Sequence, residues 1–148
     1  MTRKCNVLLV DDDENDRLLF SSALNATGLD IELFETSDGY AAINYLLSAE
    51  PAQFPIPDVV VLDLKMPGMD GFAVLKEIRS RPQLKRLTVY VLSNSNQESD
   101  IVTAHALGAN AAYKKPTHYK DLVGLLQTML TPCCKTTPGA PNRKPKET

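Results

Sequence analysis

A fivefold alternation between short apolar runs and stretches of helical period is the feature of this sequence that most constrains its fold. The apolar runs, which we interpret as strands, cover 7–10, 31–34, 59–62, 87–92 and 111–113. The stretches between and after them repeat apolar residues every three or four positions, as amphipathic helices do. Short apolar strands that alternate with such helices favour parallel pairing, with helices on both faces of the sheet. We therefore predict an α/β fold, a doubly wound five-stranded parallel sheet between two layers of helices.

The apolar period also predicts which side chains the helices turn inward and where the domain ends. The first helical stretch aligns Leu18, Leu19 and Ala23, and the last ends near Leu130. Residues 131–148 contain four of the ten prolines and carry a net charge of +3, against −5 for residues 1–130. We predict one domain over 1–130 and a flexible, basic, Pro- and Thr-rich tail over 131–148.

The three cysteines show neither a disulfide framework nor a metal-binding motif. Cys5 borders the first predicted strand, whereas Cys133 and Cys134 are neighbours in the predicted tail. No second pair and no suitably spaced histidine accompanies them in the sequence. A chain of 148 residues can build its core without such clamps. We therefore expect three reduced thiols.

Composition disfavours membrane, secreted and nucleic-acid-binding proteins. The longest apolar runs, such as 59–62, are far shorter than the ~20 residues of a membrane-spanning helix. Residues 1–5 contain no hydrophobic region of a signal peptide. With a net charge of −2, neither part of the chain has the basic character of a nucleic-acid interface. We expect a cytoplasmic protein that binds neither membranes nor nucleic acid.

Chemically useful residues follow four of the predicted strands. Asp11 and Asp12 follow the first strand, Asp63 the third, Ser93 the fourth and Lys115 the fifth. Ligands of doubly wound sheets bind at the carboxyl ends of the strands, so these side chains are expected at one edge. Clustered carboxylates repel each other without a cation, and hard oxygen ligands select Mg²⁺ or Mn²⁺. The sequence therefore predicts a magnesium (or manganese) site beside a hydroxyl and an amine.

Each of these residues also has a purely structural interpretation. Carboxylates between 11 and 16 are commonly helix caps, Ser93 is typical of a turn, and Lys115 of a solvated surface. Asp63 is different, because it ends a fully apolar strand and precedes the turn-rich loop 65–71. A nucleophilic carboxylate needs a metal, a hydroxyl donor and a cation around a transferred phosphoryl group. The combination, rather than any single residue, favours a functional site.

Four spaced motifs, 7–12, 59–71, 91–93 and 115–116, resemble the receiver domain of two-component response regulators. The resemblance covers about residues 5–130. The long loop before Asp58 and the lack of an output domain are similar to the single-domain cyanobacterial phytochrome type. The resemblance implies a flavodoxin-like fold and a phosphoacceptor signalling domain rather than an enzyme that turns over other substrates.

The resemblance also implies roles for the residues at the strand ends. Asp63 would accept a phosphoryl group from a sensor histidine kinase. Asp12, Asp63 and the backbone carbonyl of Lys65 would hold the metal, with Asp11 acting through water. Ser93 and Lys115 would each contact a phosphoryl oxygen. The fourth helix, fifth strand and fifth helix would then present a surface to a downstream partner, a histidine phosphotransfer protein or a second copy of the chain.

Two positions depart from the receiver pattern, and the sequence can be compared with the requirements of other functions. Ala112 stands where receivers usually carry an aromatic residue, and Asn94 where they carry a small one. Dehalogenase-type phosphatases need a second acid at the position of Lys65, which argues against them. A flavodoxin-like flavin carrier is disfavoured because acids at 11–14 would repel its phosphate. A phosphorylation-independent, receiver-like interaction module and a relay intermediate both remain open.

Overall fold

Five strands and five helices alternate along the chain in the computed structural model, which describes residues 4–48 and 56–135. The strands are β1 (Cys5–Val10), β2 (Ile31–Thr36), β3 (Val59–Leu62), β4 (Thr88–Ser93) and β5 (Ala111–Lys114). The helices are α1 (Glu14–Thr27), α2 (Gly39–Leu47), α3 (Gly71–Ser80), α4 (Glu98–Ala106) and α5 (Tyr119–Lys135). Among the described residues, no helix is both long and apolar enough to cross a membrane.

All five strands pair in parallel, in the order β2-β1-β3-β4-β5. The order reverses at β1, which pairs with β2 on one side and β3 on the other. β3 lies at the centre and is a run of four fully buried residues, as expected of a strand covered on both faces. The predicted doubly wound sheet is therefore confirmed.

Two hydrophobic layers cover the sheet, and the alternation of side chains along each strand divides them. Leu8 and Val10 of β1 pack in one layer, together with buried side chains from α2, α3 and α4. Val7 and Leu9 of the same strand pack in the other layer, with side chains from α1 and α5. Because neighbouring strand residues point to opposite faces, one strand supplies both layers.

The inward face of α1 differs from the predicted one. Leu18 and Leu19 are 62% and 50% exposed, whereas Phe20, Ala23 and Leu24 are buried. The run of 18–20 offers three adjacent large apolar residues, so periodicity alone allowed more than one inward face. Packing on the sheet selects the face that contains the large ring of Phe20, and the two leucines are left at the surface.

The C-terminal end of α5 corrects two further predictions. The helix continues to Lys135, five residues beyond the predicted boundary at 130, and includes Pro132. Cys133 forms a disulfide with Cys5 of β1, and the neighbouring Cys134 is buried and forms no disulfide. The expectation of reduced thiols is therefore wrong for Cys5 and Cys133, and Cys133 and Cys134 lie in a helix and not in a loose tail. The physical reason is tertiary, since this last turn packs against the first strand; the rest of the predicted tail, 136–148, lies outside the described residues.

Candidate functional site

The carboxyl ends of β1 and β3 bring three carboxylates together. The strands run side by side with Val10 opposite Leu62, so the residues that follow each strand are neighbours. The backbone N–H of Asp63 donates to the carbonyl of Val10 at 3.0 Å and fixes this register beyond the strand end. Carboxylate oxygens of Asp11, Asp12 and Asp63 all lie within 4.8 Å of one another. Asp11 and Asp63 are buried, and Asp12 is exposed.

Lys115 places its ammonium group among these acids. It follows β5 directly, and its N–H donates to the carbonyl of Ser93 on the neighbouring β4 at 2.8 Å. Its Nζ lies 2.7 Å from Asp11 Oδ2 and 2.8 Å from Asp16 Oδ2. Asp63 Oδ2 is farther from the same Nζ, at 3.6 Å. The amine is therefore held by two hydrogen bonds and faces the third carboxylate at ion-pair distance.

Asp16 is a site residue that the sequence did not single out. Acids at 11–16 have helix capping as their usual role, and the capping residue is Asp13, whose side chain accepts from the N–H of Asp16. This leaves the Asp16 carboxylate free to turn toward Lys115. The sequence did contain a signal for this role, namely the position of Asp16 three residues after the N-cap Asp13. A side chain at this position lies in the first turn of the helix, which is close to the carboxyl ends of the strands.

Burial sets the charge state of Asp63. Desolvation raises the pKa of its carboxyl from 3.8 to about 6, since the charged form is disfavoured away from water. The charge of Lys115 lowers this pKa, Asp11 raises it, and the backbone N–H groups of Leu64 and Lys65 lower it. The N–H of Leu64 donates to Asp63 Oδ1 at 2.8 Å. Asp63 is thus a carboxylate at neutral pH. Its Oδ1 is held by the N–H of Leu64, and its Oδ2 faces Lys115.

Lys115 is held in its charged form in spite of its burial. Burial by itself lowers the pKa of this amine. The hydrogen bonds to Asp11 and Asp16, and the charge of Asp63, outweigh burial and raise the pKa above its ordinary value. The site therefore contains a permanent cation, which offsets part of the repulsion among the carboxylates.

Ser93 lies at the end of β4, on the same edge of the sheet, and is fully buried. Its Oγ accepts a hydrogen bond from the N–H of Ser95 at 3.2 Å. The hydroxyl thus also shapes the turn after β4, as the structural interpretation of a serine at a strand end suggests. The neighbouring Asn94 is exposed and lines a shallow cleft with Leu19 and Lys115.

The loop after Asp63 is folded back tightly beneath the site. The N–H of Gly71 donates to the carbonyl of Leu64 at 2.9 Å. A Cβ at position 71 would lie 2.2 Å from the carbonyl oxygen of Asp63, so only glycine permits this approach. The glycine that begins α3 therefore fixes the path of the backbone that carries the candidate nucleophile.

An ion pair joins this loop to α4. Lys65 Nζ lies 3.1 Å from Asp100 Oδ2, and Ser95 Oγ donates to the same oxygen at 2.5 Å. The side chain of Lys65 is mostly exposed, so the pair itself contributes little stability. Its geometric effect is to connect the loops after β3 and β4 through one carboxylate.

The neighbouring residues Ala112 and Tyr113 of β5 face opposite sides of the sheet, which bears on the departure from the receiver pattern at Ala112. Ala112 packs against the layer of α2, α3 and α4, whereas Tyr113 packs in the opposite layer. The ring of Tyr113 lies 6.4 Å from that of Tyr90, in an edge-on arrangement. Because consecutive strand residues face opposite sides, Tyr113 cannot supply the aromatic group that Ala112 lacks.

The donor set suits a hard divalent cation. Asp11, Asp12 and Asp63 offer only oxygen, and no histidine or cysteine contributes to this group. Mg²⁺ and Mn²⁺ favour carboxylate oxygens, and a charge of +2 would relieve the repulsion among three acids. The residues present therefore fit the predicted metal.

Comparison with known proteins agrees with this geometry. Residues 7–127 match the family model described as the response regulator receiver domain. The response regulator Rcp1 of Synechocystis is 37% identical over 122 residues, which are 82% of this chain and 83% of that protein. The probable methanogenesis regulatory protein FilR2 of Methanothrix harundinacea is 32% identical, over 78% of this chain and 75% of its own length.

Solved structures with a similar fold include two response regulators. The phosphorylated cyanobacterial phytochrome response regulator RcpA superposes with a TM-score of 0.78 at 34% identity, covering 86% of this chain and 92% of its own. The Mn²⁺-bound form of Rcp1 also has a TM-score of 0.78, at 33% identity, covering 93% and 99%. The motifs at the strand ends, the order of the strands and these matches agree. The chain therefore belongs to the response regulator receiver domain family.

Proposed function

We propose that the chain is a phosphoacceptor of a two-component system, in which Asp63 takes a phosphoryl group from the phosphohistidine of a sensor histidine kinase. The observation that carries the proposal is the convergence of three carboxylates and the Lys115 ammonium at one sheet edge. In the transfer, the phosphorus–nitrogen bond breaks as an oxygen–phosphorus bond to Asp63 forms. Oδ2 is the attacking oxygen, because Oδ1 accepts the N–H of Leu64.

The protonation state of Asp63 supports this role. A carboxyl with a pKa of about 6 is mostly ionised at pH 7.5 and is available as a nucleophile. Its burial withholds much of the water that would otherwise solvate the charge. The carboxylate form that uptake requires therefore predominates at neutral pH, and a cation bound beside Asp63 would favour that form further.

Metal binding is part of the proposal. Asp12, Asp63 and the backbone carbonyl of Lys65 would hold Mg²⁺ or Mn²⁺, and Asp11 would act through water. The oxygen-only donor set and the solved Mn²⁺-bound form of Rcp1 support this assignment. The ion would offset the repulsion between these acids and the incoming phosphoryl dianion.

The remaining residues would read out the modification. Lys115 would shift from Asp11 and Asp16 toward a phosphoryl oxygen on Asp63, a carboxylate it already faces at 3.6 Å. Ser93 would give up its bond from Ser95 and hydrogen-bond another phosphoryl oxygen. The loops after β3 and β4 would then rearrange, and the surface of α4, β5 and α5 would bind a downstream partner, a histidine phosphotransfer protein or a second copy.

The test is intact-protein mass spectrometry after incubation with Mg²⁺ and a small acyl phosphate. The native chain should gain one phosphoryl group, and Asp63→Asn should gain none. Glu32→Gln, which removes a charge from an exposed position of β2, is the matched control and should behave as the native chain. Omission of Mg²⁺ should suppress the gain. A gain that persists in Asp63→Asn would contradict the assignment of the acceptor.

A phosphorylation-independent interaction module is the second candidate. The observation that favours it is Ala112, since the aromatic group of the usual switch is replaced and Tyr113 points to the other layer. This candidate predicts that a folded native chain gains no phosphoryl group, even with a phosphorylated histidine kinase as donor. The two functions are thus separated by the same measurement.

A further inference from the structure

We propose that Cys5 and Cys133 form a reversible thiol–disulfide site that fastens the end of α5 to the first strand. The two residues are 128 positions apart in sequence, and their Cα atoms lie 5.9 Å apart. This separation of Cα atoms is the usual one for a disulfide, so the fold holds the pair ready for bonding. The proposal does not depend on phosphoryl transfer, because the pair lies at the opposite end of β1 from Asp11. The six residues of β1 span about 20 Å between the two.

The last turn of α5 depends on this contact more than an ordinary helix end does. Pro132 has no backbone N–H, so it cannot donate the helical hydrogen bond to the carbonyl four residues earlier. Thr131 Oγ1 donates to the carbonyl of Gln127 at 2.5 Å. In a regular α-helix this carbonyl accepts the backbone N–H of residue 131, so the hydroxyl competes with that backbone hydrogen bond. The turn that follows is therefore weak as a helix. It is held by the Cys5–Cys133 bond, by the burial of Cys134 and by the hydrogen bond that Cys134 Sγ donates to the carbonyl of Asp30 at 3.7 Å.

The surroundings favour the bonded form yet leave one sulfur within reach. Cys5 is fully buried and Cys133 is half-buried, so a thiol in solution attacks Cys133 first. An Asp58 carboxylate oxygen lies within 4.8 Å of both sulfur atoms. Its negative charge opposes a nearby thiolate, whereas the disulfide carries no charge. Disulfides in reducing compartments are usually transient, and a bond that forms or opens with the redox state fits this arrangement.

The oxidant for this pair of cysteines is a small disulfide, of which glutathione disulfide is an example. The Cys133 thiol loses its proton, its sulfur attacks glutathione disulfide, and one glutathione leaves as a thiolate. The Cys5 thiol then loses its proton and attacks the mixed disulfide on Cys133, and the second glutathione leaves. The two protons end on the two glutathione molecules. Two cysteines are thereby oxidised by two electrons, and one glutathione disulfide is reduced to two thiols.

The consequence is control over the last turn of α5. In the oxidised chain, residues 131–135 are fastened to β1. In the reduced chain, the turn beyond Pro132 keeps the buried Cys134 and the hydrogen bond from its Sγ to the carbonyl of Asp30, but it loses its covalent bond to β1. Reduction should therefore release the end of α5, and with it the point from which residues 136–148 extend. The site of Asp63 should be unaffected, because it lies at the other edge of the sheet.

The test is to equilibrate the full chain in glutathione buffers of graded ratio, quench with acid, denature, and count alkylated cysteines by intact mass. The native chain should carry three labels in the reduced buffer and one, on Cys134, in the oxidised buffer. Cys134→Ala is the matched control and should change from two labels to none. Cys133→Ser should carry two labels at every ratio. The amides of 131 and 133–135 should exchange hydrogen at least tenfold faster after reduction.

Several outcomes would overturn the proposal. Three labels in the folded native chain at the most oxidised ratio would show that the pair does not bond. A bond mapped to Cys134, or a lasting glutathione adduct on Cys133, would show different chemistry. A bond that excess reduced glutathione cannot open would be structural and not reversible. The assay is repeated with equimolar Zn²⁺, because protection of both thiols from oxidation would indicate a metal site with Asp58 instead.

Discussion

Replacing Asp63 by asparagine should stabilise the chain, and the gain should depend on pH in a defined direction. In the folded chain the pKa of Asp63 rises from 3.8 to about 6, mainly because burial disfavours its charge. The folded state therefore binds this proton more tightly than the unfolded state does. The associated stability is fully present below about pH 4 and is lost as the pH rises through 6.

The size of the effect follows from the same values. A rise from 3.8 to about 6 corresponds to about 3 kcal/mol of lost stability once the group is ionised in both states. Asparagine has a similar shape and no charge, so Asp63→Asn does not incur this loss. The difference in the free energy of unfolding between Asp63→Asn and the native chain should grow by about 3 kcal/mol from pH 4 to pH 8.

Urea unfolding at pH 4, 5, 6, 7 and 8 in the presence of a chelator measures this difference. Both proteins are kept oxidised at the Cys5–Cys133 bond, so that only the carboxyl differs. Glu32→Gln, an exposed acid on β2, is the control and should give a difference that varies little with pH. A difference for Asp63→Asn that is constant with pH, or that shrinks toward pH 8, would refute the assignment of burial as the dominant cause. Mg²⁺ should stabilise the native chain at pH 8 more than it stabilises the variant.

Three further outcomes are expected. Lys115→Met should lower the free energy of unfolding by about 3 kcal/mol, because it leaves Asp11 buried without its cation; urea unfolding at pH 7 without metal measures it, and added Mg²⁺ should restore part of the loss. Gly71→Ala should abolish phosphoryl uptake by intact mass, since its Cβ would lie 2.2 Å from the Asp63 carbonyl oxygen; uptake at the native rate would contradict that close approach. Cys133→Ser should cost about 5 kcal/mol relative to the oxidised chain, as loop closure over 128 residues implies, and calorimetry should show a lower Tm; an unchanged Tm would mean that the bond constrains little.

The sequence was most informative where one physical rule relates a residue's position in the sequence to its position in the fold. The carboxyl ends of parallel strands meet at one edge of the sheet, so the sequence alone places Asp11, Asp63, Ser93 and Lys115 together. Helix capping was also predictable in kind, although not by residue. The cap is Asp13, and Asp16 instead binds Lys115, a contact between residues 99 positions apart.

The sequence by itself determined the α/β class, the number of strands and the edge at which the candidate site lies, because these follow from local periodicity and from the polarity of parallel strands. Only the tertiary structure decided which face of α1 packs inward, how far α5 continues past Pro132, and that Cys133 meets Cys5. These features depend on how surfaces that are far apart in the sequence pack against each other. The local period of apolar residues does not show which residue from another part of the chain a side chain will contact. The raised pKa of Asp63 has the same origin, since burial is a property of the assembled layers and not of the strand that carries the residue.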